Sequence, residues 1–170
     1  RYCRGIRGTD MARLIPNENT WVGFLTTLAD LTLVPAEDEI AAGVNLTPYL
    51  ISLNAASQGN TVPTPAFDTL FETNISGTNQ ASFTADFYRD SVDDDAWDTL
   101  PRGTDGFFVI SRFGGTGTDG IPETGDVVET WPVVVTSRTM QNMSNNTVMT
   151  FSVTCSVPQE PNENATVLAP

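Results

Sequence analysis

The chain contains no lysine and no histidine, and all eight of its basic residues are arginine. Without them there is no imidazole for proton transfer near neutral pH and no amine for Schiff-base chemistry. It also lacks a G-x-S-x-G elbow, and no carboxylate pair stands apart among its 21 acids for glycosidase chemistry. These absences argue against an enzyme, so no catalytic residue and no cofactor is assigned. Cysteine is scarce as well: Cys3 and Cys155 are too few for a disulfide framework. Cys155 lies in an alternating apolar run and reads as a core thiol, while a Cys3–Cys155 bridge stays open. No apolar stretch is long enough to cross a bilayer as a helix, and the first ten residues lack the apolar segment of a secretory signal.

Two motifs fail on their surroundings. Gly115-Thr-Gly-Thr-Asp-Gly120 matches G-x-G-x-x-G, but Ile121-Pro122 follows where a dinucleotide site needs a helix. The same residues match one copy of a calcium-binding nonapeptide, and a single copy cannot stack, so the expectation is a flexible hairpin loop. Asp90, Asp93, Asp94, Asp95 and Asp98 lack the fixed glycine and terminal glutamate of an EF-hand. A capped acidic helix accounts for them, and no metal site is assigned. Five N-x-S/T sequons (Asn45, Asn74, Asn142, Asn145, Asn164) are of the kind a Ser/Thr-rich chain produces by chance.

What is present is acid. The formal net charge is −13, and four of the eight arginines (Arg1, Arg4, Arg7, Arg13) precede Leu14. The remainder is strongly anionic and repels a phosphate backbone rather than neutralising it. The missing lysine fits a host living in strong salt or a GC-rich genome that favours arginine codons.

At 170 residues the chain suits one domain, with residues 1–19 as an N-terminal arm, 20–157 as the folded body and 158–170 as a proline-bearing polar tail. Met11-Ala-Arg resembles a start of translation, which would make residues 1–10 an upstream extension. A basic arm on an acidic body is suited to docking on a neighbouring subunit.

The chain is organised around Asn79–Gly115. Phe83, Ala85 and Phe87 alternate with Ser82, Thr84 and Asp86, which predicts a half-buried strand over Ser82–Arg89. Ser91 then reads as an N-cap for an acidic helix ending before Pro101, with Val92, Ala96, Trp97 and Leu100 on one face. Phe107–Phe113 predicts the returning strand. Elsewhere, Trp21–Leu28 reads as a strand, and Pro35 to Gly43 as a helix with Pro at its start and Gly at its stop. Val44–Leu53 reads as a strand interrupted by Pro48, and Ala66–Ile75 as another. Asn54–Pro65 and Gly114–Gly125 read as long functional loops. Asp126–Thr139 and Thr147–Val157 form a hairpin about an Asn-rich turn, with Phe151, Val153 and Cys155 on the better core face. The fold class is therefore mainly β: an antiparallel β-sandwich or barrel with one or two short flanking α-helices.

Several runs in this order resemble the major tail tube proteins of long-tailed viruses of high-GC bacteria or haloarchaea. They are Ala36–Leu50, Phe71-Glu72-Thr73, Phe87-Tyr88-Arg89 and above all Asp94–Phe107 (DDAWDTLPRGTDGF). With the closing hairpin, the likeness spans about residues 20–157. The resemblance implies a structural virion protein assembled in the host cytoplasm, six copies closing a ring and rings stacking into a hollow conduit for viral DNA. It also implies partners: further copies of itself, a tape measure protein and DNA in the bore, tail terminator and tip proteins at the ends, and no membrane. Loop length and arm composition add candidate contacts between subunits: Arg1, Arg4, Arg7, Arg13, Gly59, Asn60, Gly115 and Asp119. Asp93, Asp94, Asp95 and Asp98 are the candidate acids of the lumen. Alternatives are a tail terminator, a capsid decoration protein, or a secreted glycan-binding module with accessible Trp21, Trp97 and Trp131.

Overall fold

Residues 20–64, 73–141 and 144–170 are described by a computed structural model. Within them, β1 (Trp21–Leu25) leads to α1 (Glu37–Ala42), β2 (Val44–Asn45), a 3-10 turn at Thr47–Tyr49, β3 (Leu50–Thr64) and β4 (Thr73–Tyr88). Then come α2 (Asp95–Thr99), β5 (Asp105–Ser111), β6 (Val127–Met140), β7 (Thr150–Ser156) and β8 (Asn162–Thr166). The strands form one antiparallel sheet in the order β2-β1-β5-β6-β7-β4-β3, with β8 also paired to β6.

β6 is the spine. One of its edges pairs with β5 over Glu129–Val134; the other pairs with β8 over Val127–Thr130 and with β7 over Val134–Met140. β7 and β8 are thus successive strands along the same edge, separated by Pro158 and Pro161. Pro132, which has no N–H to donate, sits between the two paired stretches of that edge.

The sheet folds over on itself. Phe83 of β4 stacks on Phe108 of β5 with ring centroids 4.5 Å apart, although β6 and β7 separate these strands in the sheet. Phe83 also meets Trp131, and Phe24 meets Phe108 edge-on. These rings, with Val22, Phe87, Ile110, Val133, Val135, Phe151 and Val153, make the main core. A second cluster (Trp21, Leu25, Ile40, Val109, Val128, Ala165, Val167) lies on the other face of β1 and β5, under α1. Every residue of β1 is therefore buried, which an apolar run without alternation requires.

Most predicted strands stand, and their faces are as expected: Phe83, Ala85 and Phe87 are inside, as are Phe151, Val153 and Cys155. Burial pushes the Cys155 thiol up to about 12, so it stays protonated in the core. Cys3, and with it the open bridge, lies outside the described residues. The differences have local causes. β1 stops at Leu25. The Glu39 carboxylate accepts the Ala36 N–H at 2.9 Å to start α1, whereas Gly43 ends it in extended rather than left-handed backbone (φ −73°). Pro48 does break its segment, into β2, the 3-10 turn and β3. Of the strand expected over 66–75, only Thr73–Ile75 falls within the described residues, as the start of β4. Residues 158–170 are not a bare polar tail: they carry β8, and Ala165 and Val167 are buried. This period-2 signal is too short to stand out from sequence.

Phe83 joins the two halves of the folded sheet, so Phe83→Ala should cost about 3–5 kcal/mol. Val92→Ala, at a side chain 83% exposed, should change stability by under about 0.5 kcal/mol. Urea unfolding of the two variants measures both.

Candidate functional site

The long hairpin of β3 and β4 carries no charged side chain between Leu50 and Thr64 or between Thr73 and Ala85. β4 pairs with β7 only from Ser82 to Tyr88; before Ser82 its sole strand partner among the described residues is β3. The distal part, Ser57–Thr64 against Thr73–Ala81, is therefore a projecting two-stranded arm. Nearly all of it is exposed, including the facing pair Val62 and Ile75 (48% and 56%). A lone two-stranded hairpin is marginal in water. Among the described residues β3 is also the last strand of the sheet, and it has none of the lysines or other charges that usually blunt such an edge. Gly59 and Asn60 lie in this arm. The Asn54–Pro65 loop expected from composition is thus a strand over its described part, because cross-strand pairing overrides the weak propensities of Asn, Gln, Ser and Gly.

The outward face of β3, β4, β7 and β6 is a second uniform surface. Asn54, Thr84, Thr154 and Ser137 form one cross-strand row, and Ser52, Asp86, Ser152 and Thr139 the next. Ser82 and Ser156 continue it. Asp86 is the one carboxylate in these rows and accepts hydrogen bonds from the hydroxyls of Ser152 and Ser52, which hold it below the usual carboxylate range.

α2 closes the end of the barrel. Its Ala96, with Leu100 beyond it, enters the main core, and Trp97 meets Phe151 edge-on at 5.1 Å. The guanidinium carbons of Arg89 and Arg138 lie 4.0 and 3.6 Å from the centre of the Trp97 ring. Two groups that close must take opposite faces. Arg138 also donates to the Trp97 carbonyl at 2.6 Å, and Arg89 donates to Asp94. Asp94, not Ser91, is the N-cap residue, and Val92 is outside the helix and exposed. The helix thus starts three residues later than its capping pattern predicts, and the Asp94 carboxylate binds Arg89 instead of capping the first turn.

Among the candidate lumen acids, Asp94 is therefore engaged within the subunit, while Asp93, Asp95 and Asp98 are exposed. All four belong to the α2 end, not to the hydroxyl rows. Burial first, and then the field of Asp95, Asp93, Asp90 and Asp94, pushes the Tyr49 phenol up.

The loop of residues 112–126 is organised rather than flexible. One Asp126 oxygen accepts from the Thr116 N–H (2.7 Å), the Thr116 hydroxyl (3.0 Å) and the Glu123 N–H (2.9 Å). Burial pushes Asp126 upward, but these bonds together outweigh it and its pKa is lowered. Gly115 donates to the Gly120 carbonyl, and a Cβ at Gly115 would meet the Ile121 carbonyl oxygen at 2.1 Å. Asp119 sits at φ +58° on the exposed rim. Arg112 is bound to Glu129 at the base. Gly59 and Asn60 are thus brought together in the arm, and Gly115 and Asp119 in the loop. Arg1, Arg4, Arg7 and Arg13 lie outside the described residues. Trp21 and Trp131 are buried and Trp97 is sandwiched, so no tryptophan offers the open platform a glycan module needs.

The family model described as phage tail tube protein matches residues 9–170. The chain belongs to the phage tail tube protein family. It is a structural component of the tail tube of a virion or phage-like particle. Its fold is similar to a chain in the tail of an empty GTA particle refined with C6 symmetry (TM-score 0.52, 14% identity, covering 85% of this chain and 95% of that one). It is also similar to one in the sheath–tube complex of the PVC extracellular contractile injection system in its extended state (0.55, 16%, 88% and 90%). A third is in the six-fold symmetrised baseplate of the anti-feeding prophage (0.54, 9%, 89% and 95%). At these identities the likeness is one of fold. No curated protein matches the chain in sequence.

Asp86 and Asp126 are both held below the ordinary carboxylate value of 3.8. Their stabilisation is complete above that value and is lost as pH falls through the lowered ones. Asp126→Asn should therefore be less stable than wild type at pH 7, and the difference between their urea midpoints should shrink as the pH falls below the ordinary carboxylate value.

Proposed function

We propose that six copies close a ring and that rings stack into a hollow tube through which viral DNA passes. In this arrangement the hydroxyl rows face the bore and the β3–β4 arm lies on a neighbouring copy. The observation that carries the reading is the arm: a long two-stranded projection whose described strands carry no charge and whose outer edge no described strand covers, on a body of net charge −13. Neutral surface is where such like-charged bodies can meet without Coulomb cost, and an open edge is satisfied by the sheet or loop of another copy. Six-fold symmetry is supported by the C6 and six-fold symmetrised assemblies that hold similar chains.

A bore of Ser and Thr hydroxyls with Asp86 as its carboxylate offers DNA no cation. No counterions are released on contact, so the duplex gains little by sticking. In molar salt the Debye length falls to about 3 Å, and the wall acts at short range. In this reading the candidate lumen acids Asp93, Asp94, Asp95 and Asp98 sit at the barrel end, at α2, and not in the bore. A tape measure protein inside and terminator and tip proteins at the ends complete the expected partners.

Negative-stain microscopy of the purified chain should show long hollow rods. Val62→Asp with Ile75→Asp charges the arm without touching the core, so the urea midpoint should barely move while rods disappear. Rods of wild-type length from that variant would remove the arm from assembly. Single rings from the wild-type chain would favour a terminator, and a monomer would reject the tube.

A further inference from the structure

We propose that the arginine-bearing segment before β1 of one copy docks on the acidic and apolar α2 end of the next copy along the tube. This rests on the tube reading above.

The register places donor and acceptor apart. β1 begins at Trp21 opposite Ser111, level with the first residues of β6. Tyr88 pairs with Thr150, level with the last residues of β6. The segment thus joins the body at one end of the 14-residue β6, and α2 lies at the other. A contact between two different surfaces at opposite ends does not close as a pair but propagates from copy to copy.

The acceptor is more than a group of acids. Val92 and Val148 are 83% and 68% exposed, with Tyr88 and Met149 beside them. Met149 also lines an open cleft of about 450 Å³ together with Arg89, Asp90 and Ser91. Asp93, Asp95 and Asp98 follow on the same connection and on α2. Arg89 does not neutralise the cleft, because its guanidinium is held by Asp94 and stacked on Trp97.

The occupant is named by complementarity. Arg1, Arg4 and Arg7 recur every third residue with Tyr2 and Ile6 between them, and Arg13 follows. Cations and apolar side chains in one short segment match carboxylates and apolar side chains on the acceptor. At up to about 3.5 Å per residue, the chain before Trp21 is long enough to reach an adjacent copy.

The test uses the full-length chain and reads rod formation by sedimentation and microscopy, with circular dichroism to check folding. Replacing Arg1, Arg4, Arg7 and Arg13 by Glu should raise the concentration needed for rods about tenfold or more. Adding Asp93→Arg, Asp95→Arg and Asp98→Arg should restore assembly by swapping the charges. Independently, Val92→Cys with an added oxidant should link to Cys3 of the next copy and give a ladder of multimers, which Cys3→Ser abolishes. Unchanged assembly of the Glu variant, or a loss that the swap does not rescue together with no ladder, overturns the docking and leaves the tube intact. Failure of the wild-type chain to form rods overturns the tube reading itself.

Discussion

Everything in this subunit depends on β6 being paired along both edges. One edge holds β5, and through it β1 and β2; the other holds β8 and then β7, with β4 and β3 beyond. The sheet can fold over only because this strand is long enough to belong to both halves, and the stacked Phe83 and Phe108 rings mark where they meet. Burying aromatic surface between the halves is the main favourable term, and it leaves the outer face free to be polar.

That freedom decides where charge goes. The hydroxyl rows and the arm are almost uncharged, whereas the acids gather at α1, at α2 and in the loop after β5. In the proposed tube, copies that each carry a net charge of −13 meet on neutral surface, and the neutral strands of this chain are β3 and the first part of β4. Three of the four arginines after Leu14 are used within the subunit. Arg89 and Arg138 grip Trp97 from both sides, and Arg112 closes on Glu129, so these three hold the subunit's own ends in place. Planar guanidinium suits this use better than lysine, since it stacks and forks at once.

The strands, their inward faces, the two short helices and the family likeness were legible from residues alone, because period-2 alternation and Pro or Gly stops are local signals. Phe83, Ala85 and Phe87 on one side and Thr84 and Asp86 on the other needed no structure to be told apart. The arm was missed: Asn-Ala-Ala-Ser-Gln-Gly-Asn has the composition of a loop, and its strand identity comes from a partner more than ten residues away. The signal for it in the sequence is the absence of charge from Leu50 to Thr64 and again from Thr73 to Ala85, in a chain that is 17% charged.

By itself the sequence determined the β class, the anionic body, the burial of Cys155 and the exclusion of phosphate-neutralising surfaces, since each follows from composition or near-neighbour pattern. Tertiary structure alone decided that Ser57 to Thr64 extends as an arm, that Asp94 stands at the start of α2 with its carboxylate on Arg89, and that Ala165 and Val167 belong to the core. Those outcomes turn on contacts between residues far apart in the chain, whose free energy no local window contains.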